Sequence, residues 1–158
     1  MKKTILVLVA VFALCVSASA QRRSVPYAGI GVMSNFHNAT GVGLSGGVRN
    51  YNRYSFISFG LSAELLGYAI PNPTAAQFGV FAVPEVGVAI GPSVFKVYPH
   101  SGFMFGFDSF SRGFHWGGKN GVALDFGRHI TVDFSTYVPR YNFTAASYAV
   151  NVIWRFGI

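Results

Sequence analysis

Residues Ala145 to Phe156 read AASYAVNVIWRF, an alternation that frames the question of the fold. Tyr148, Val150, Val152, Trp154 and Phe156 share one parity, and Ser147, Ala149, Asn151 and Arg155 share the other. Successive side chains of a strand point to opposite faces, so a strand here has one apolar, aromatic-ended face and one mixed polar face. Only Ile153 breaks the alternation. Such an apolar face looks inward in a soluble sandwich and outward at lipid in a membrane barrel, so the choice rests on the rest of the chain.

The same period recurs upstream. Tyr27–Phe36 and Thr40–Arg49 read as a hairpin, and Tyr54–Leu65 alternates almost completely, with Ile57, Phe59, Leu61, Ala63 and Leu65 against Ser58, Gly60, Ser62 and Glu64. Phe78–Ile90, Val94–Phe107, Gly121–Phe126 and Ile130–Val138 complete a set of eight strands with the terminal one. Pro84 lacks a ladder donor, which predicts a bulge or irregular pairing in the fourth strand. Gly67–Gln77, centred on Pro71-Asn72-Pro73, and Asp108–Lys119 read as two long connections. Turns after strands two, four and six are shorter than the links after three, five and seven, which is the asymmetry of a membrane barrel with short inner turns and longer outer loops.

Charge placement points the same way. Four of the five acidic residues, Glu64, Glu85, Asp125 and Asp133, fall on the polar parity of their strands, together with Arg49, Lys96, His100 and Arg155. The opposite parity is rich in Val, Leu, Ile and Phe. A barrel of eight strands is too narrow to hold that many large side chains, so the apolar parity takes the longer outer perimeter and the charges and glycines take the lumen. Charged residues make up 11% of the chain against 16% aromatic, with a mean hydropathy of +0.41. That is too little charge for a surface in water.

The N-terminus carries Lys2 and Lys3, an apolar run from Ile5 to Val16 and then Ala18-Ser19-Ala20, the order of a cleaved secretory signal over residues 1–20. Residues 21–158 then form one barrel domain. The apolar run is too short to anchor a helix in a bilayer. Cys15, the one cysteine, lies inside the signal, so no disulfide is expected. Loss of Lys2 and Lys3 lowers the formal charge from +7 to +5, and the remaining basic residues are scattered, which argues against a nucleic-acid partner.

The pattern of Tyr27 to Phe156 resembles the small eight-stranded outer-membrane barrels of the OmpA and OmpX type, within the porin-like superfamily of Gram-negative envelopes. The resemblance implies an all-β, eight-stranded antiparallel up-and-down transmembrane barrel. It implies passage through periplasmic chaperones, insertion by the barrel-assembly machinery, and contact with outer-membrane lipid and lipopolysaccharide. Tyr148, Trp154 and Phe156 resemble the terminal signal which that machinery reads, although this chain ends Phe156-Gly157-Ile158 and not on an aromatic residue. Gln21 at the new N-terminus resembles exported proteins of Bacteroidota.

Three constellations carry candidate function. The lumenal set Arg49, Glu64, Glu85, Lys96, His100, Asp125, Asp133 and Arg155 could line an ion path; its plainer reading is a packed polar core in which each carboxylate finds a cation. Phe110, Arg112, Phe114, His115 and Trp116 could dock an envelope protein, a glycan or a lipopolysaccharide headgroup, or could belong to an outer aromatic girdle opposite an inner one of Tyr54, Trp154 and Phe156. His37, His100, His115 and His129 show no metal-ligand spacing, and no metal or cofactor is expected. His100 beside Ser101, and Ser135 near Asp133, suggest a nucleophile and base, but neighbours on a strand face opposite ways, so His100 and Ser101 do not share a site. The expected role is structural or recognition-based and non-catalytic, carried by the two long loops. A narrow pore, a lipid-modifying enzyme and a secreted soluble barrel holding an apolar ligand are the alternatives.

Overall fold

A computed structural model describes residues 24–35, 40–50, 56–71, 74–109, 113–139 and 146–156. The expected signal over residues 1–20 lies outside them, as do Phe110, Arg112 and Tyr54. Eight strands run β1 (Ser24–Asn35), β2 (Thr40–Asn50), β3 (Ile57–Pro71), β4 (Thr74–Val88), β5 (Phe95–Asp108), β6 (Gly113–Phe126), β7 (Ile130–Pro139) and β8 (Ser147–Arg155). Each pairs antiparallel with its sequence neighbours, and β8 closes on β1. An even strand count brings Ser24 and Phe156 to the same end, where the Phe156 N–H donates to the Pro26 carbonyl at 2.8 Å.

The register fixes the barrel's girth. A row that leaves β1 at Val25 passes through Arg49, Gly60, Glu85, Gly102, Lys119, Tyr137 and Ser147, and returns to β1 at Asn35, a stagger of 10 residues. For eight strands this sets a tilt of about 40° and an interior just wide enough for side chains.

The parity read from the sequence separates the two faces. Ile30, Val42, Leu44, Phe59, Val80, Phe107, Val152 and Trp154 are among the large apolar side chains exposed outside, while Glu64, Glu85, Asp125, Asp133, Arg49 and Lys119 are buried inside. Ile153, the exception in β8, is buried on the lumenal face. The core of this barrel is therefore the polar side of its strands.

Two expectations fail. Gly67–Gln77 and Asp108–Lys119 are not loops: β3 and β4 stay paired to Pro71 and Thr74, and β5 and β6 to Asp108 and Gly113. Gly and Pro marked these stretches as punctuation, but pairing them satisfies backbone groups that an isolated loop would leave to solvent. With them goes the loop asymmetry, since the connections after β3 and β5 shrink to residues 72–73 and 109–112, against 51–56 and 89–94 after β2 and β4. Pro84 acts as expected. The β4–β5 ladder is interrupted at Val83 and Pro84 and resumes at Glu85↔Gly102 in unchanged register, so the irregularity is a gap and not an inserted residue.

Candidate functional site in the lumen

The lumen is filled in layers. Nearest the termini, Arg155 Nη1 stands 3.1 Å from Asp125 Oδ2, and the Thr131 hydroxyl donates to Asp125 Oδ1 at 2.6 Å. Arg155 also donates from Nη2 to the Gly127 carbonyl at 2.9 Å, tying the last strand to the β6–β7 turn. Gly127 takes φ +58°, the left-handed conformation that favours glycine in a turn this tight.

Above this pair lies a network drawn from six strands. Arg49 of β2 donates from Nε to Glu85 Oε1 of β4 at 3.0 Å, and its Nη2 is 2.9 Å from the same oxygen. The guanidinium also lies 4.3 Å from the ring centroid of Tyr98, and Tyr98 stacks on His100. His100 of β5 stands between two carboxylates, hydrogen-bonded through Nε2 to Asp133 Oδ1 of β7 at 2.8 Å and with Nδ1 3.6 Å from Glu85 Oε2, beyond hydrogen-bond reach. Lys119 of β6 stands 2.6 Å from Glu64 Oε1 of β3 and 3.7 Å from Asp133 Oδ2. The hydroxyls of Ser62 and Ser135 donate to Glu64 and Asp133 at 3.2 and 2.7 Å. Charges this deep persist only because each is paired and hydrogen-bonded.

Glycines make room for it. A Cβ at Gly60 would stand 2.7 Å from Glu85 Cγ and Oε1, and one at Gly121 would stand 2.8 Å from His100 Nε2 and from the Ser135 hydroxyl. The glycine-rich inner parity is thus the space in which the network sits. Beyond the network an apolar cluster of Met33, Leu66, Phe81, Val83, Met104, Tyr137 and Ala149 caps the lumen, with Tyr68 packed against it.

Of the lumenal residues expected from sequence, Arg49, Glu64, Glu85, His100, Asp125, Asp133 and Arg155 are all buried in this interior. Lys96 is half-buried at the start of β5, in register with Asp125 and apart from the central network. Lys119, which supplies a central cation, was missed because it stood at the end of a supposed loop. Running the alternation backwards from Asp125 through Ala123 and Gly121 reaches it. Phe114, His115 and Trp116 lie on β6 and not on a loop. Phe114 and Trp116 face outward against Phe107 and Phe103, at ring-centroid distances of 5.5 and 5.6 Å, while His115 falls on the inward parity. At the other end Phe95 packs on Phe126, and Trp154 stacks on His129 beside exposed Phe156. Tyr148, Trp154 and Phe156 all face outward from the last strand or its end.

An apolar outer band edged by aromatics around a charged interior is the inverse of a water-soluble barrel. No family model and no curated protein sequence matches the chain. Among solved structures it is similar to a barrel described under the de novo design of transmembrane β-barrels, with a TM-score of 0.55 and 10% identity over 83% of this chain and 94% of that one. It is also similar to the outer membrane enzyme PagL, with a TM-score of 0.59 and 12% identity over 85% of this chain and 99% of that one. The chain is an eight-stranded transmembrane β-barrel. Its strands of 9 to 15 residues meet or exceed the roughly 9–11 needed for a tilted strand to cross a bilayer. The transmembrane barrel's outward parity is then its lipid face, and its lumenal network is insulated from lipid by its own backbone.

Proposed function

We propose that this protein is a non-catalytic outer-membrane barrel with a plugged lumen, exported through a cleaved signal and inserted by the assembly machinery, whose role is structural or recognition-based. The observation that carries this reading is the closed interior. Tyr98, Glu64, Val83, Thr131, Asp125 and Asp133 are each no more than 1% exposed, so water does not reach them from either end. Ion-paired charges packed this closely supply a rigid interior, and the apolar cap adds a second block in series. A conducting path would need both to open, which is why the pore is the weaker reading. Likeness to PagL supports an outer-membrane location.

The enzyme reading draws on that same likeness, and the order of the buried groups speaks against it. In a nucleophile relay the histidine stands between acid and hydroxyl. Here Asp133 stands between His100 and the Ser135 hydroxyl, and all three are buried away from any substrate. Recognition falls to the end of the barrel where β3 meets β4 and β5 meets β6, and to lipopolysaccharide at the aromatic edges.

Export and fractionation test the proposal. The protein is expected in the outer-membrane fraction as a heat-modifiable band, shortened by the signal. Vesicles containing it are expected not to swell in small sugars, and lipid A from overexpressing cells is expected to keep its mass. Swelling would establish the pore, and a lipid A mass shift that depends on the protein would establish the enzyme.

A further inference from the structure

Three polar side chains interrupt the apolar lipid face. Ser101 of β5, Asn120 of β6 and Thr136 of β7 stand side by side in register, with Ser101 and Asn120 exposed and Thr136 half-buried. They sit at mid-depth. Asn120 is six residues from Phe126 at one end of the belt and six from Phe114 at the other, and Ser101 is six from Phe95 and six from Phe107. At about 3.3 Å per residue and the tilt of about 40°, six residues climb about 15 Å, a little over half of a belt about 25 Å tall. Lipid hydrogen-bonding groups lie at the edges of a hydrocarbon core about 30 Å thick, some 15 Å from its centre, so lipid has nothing to bond this row.

The row satisfies itself only in part. The Ser101 hydroxyl donates to Asn120 Oδ1 at 2.7 Å, and the Thr136 hydroxyl donates to the Asn120 carbonyl at 3.2 Å. Both hydroxyl hydrogens and the side-chain acceptor are thereby used. The Asn120 amide N–H groups have no acceptor among the described residues, and the oxygens of Ser101 and Thr136 keep free lone pairs. Gly118, the next outward position on β6, does not cover the amide, since a Cβ there would lie 3.8 Å from Asn120 Nδ2. An unbonded amide in hydrocarbon is costly, and proteins avoid it. Ser101, Asn120 and Thr136 themselves line one side of an open groove of about 730 Å³ that runs toward the termini past Gly87, Pro99 and Gly121.

We propose that this face is the contact between two copies of the barrel within the membrane, with Asn120 close to the two-fold axis. The patch is self-complementary. It carries spare donors on Asn120 flanked by spare acceptors on Ser101 and Thr136, so a two-fold rotation brings the amide of one copy onto the hydroxyl oxygens of the other, as an isologous interface requires. The groove receives apolar side chains of the opposing copy. Polar contacts of this kind between membrane segments stabilise association because the alternative is an unpaired group in lipid.

The test uses the full chain refolded into phosphatidylcholine vesicles, with separate preparations labelled at the amino terminus as energy-transfer donor and acceptor. Transfer above the level of random mixing is expected for the unaltered protein. Asn120→Leu combined with Ser101→Ala is expected to raise the protein-to-lipid ratio for half-association by about tenfold. Leu44→Ala, on the far side of the barrel, is expected to change nothing. As a second reading, Asn120→Cys in a Cys15→Ser background is expected to cross-link copies on oxidation, and Leu44→Cys is not. Transfer at the random level for the unaltered protein, an unchanged ratio for the double variant, or equal cross-linking at both cysteines would overturn the proposal, including in favour of a different membrane protein as the occupant. A heat-dependent gel shift confirms that each variant is folded.

Discussion

The two fillings of the lumen, the ionic layer around Glu85 and the apolar cap around Met104, occupy the same barrel but fail in different ways. In the ionic layer one carboxylate serves several partners: Glu85 holds Arg49 and faces His100, and Asp133 holds His100, Ser135 and, at longer range, Lys119. In the cap each side chain contributes its own contacts, and its loss leaves a void with little consequence beyond its neighbours. The network concentrates stability in a few groups, and the cap spreads it.

That difference is open to attack. Glu85→Ala removes the carboxylate from a buried guanidinium, and is expected to cost about 3–5 kcal/mol, because an uncompensated charge is left inside. Urea unfolding of the folded barrel in vesicles reads it as a lowered midpoint. Met104→Ala opens a cavity in the cap, and is expected to cost about 2–4 kcal/mol in the same assay. A larger loss at Met104 than at Glu85 would mean that the cap, and not the ionic layer, concentrates the stability.

Gly60→Ala probes the ionic layer from the backbone side. The added methyl presses on Glu85, for an expected cost of about 1–3 kcal/mol. In the Glu85→Ala background the obstruction is gone and most of that cost should vanish, so the two changes should be non-additive by about 1 kcal/mol or more. Additive losses would mean that Gly60 serves the backbone and not the carboxylate. Ser135→Ala removes one donor from Asp133, which retains His100, and is expected to cost about 1 kcal/mol, the smallest effect of the set.

How much of this was legible in the sequence depended on whether neighbours in the chain carried the signal. Parity did: Glu64, Glu85, Asp125 and Asp133 were assigned to the lumen by counting in twos, and the eight strands with them. Strand ends were not legible. Gly67, Pro71, Gly113 and Gly117 look like loop residues, and only their partners across the sheet, separated by many positions, hold them extended. Lys119 is hidden for that reason, and the expected loop asymmetry is absent for the same one. The fold survived because a second and independent signal, the confinement of charge to one parity, carried the same conclusion. Which carboxylate meets which cation lies beyond parity altogether, since it depends on the 10-residue stagger. The row at Ser101, Asn120 and Thr136 was hidden likewise, because its members are neighbours only across strands.

If the paired charges and the cap close the lumen, the barrel carries no current. Single-channel recording tests it most directly, with the protein folded in detergent, verified by its heat-dependent gel shift, and inserted into a planar bilayer. A closed lumen gives no conductance steps across the physiological range of voltage. Discrete, reproducible steps that change size when Glu85 or Lys119 is substituted would show instead that ions pass along the paired charges and that the lumen is open.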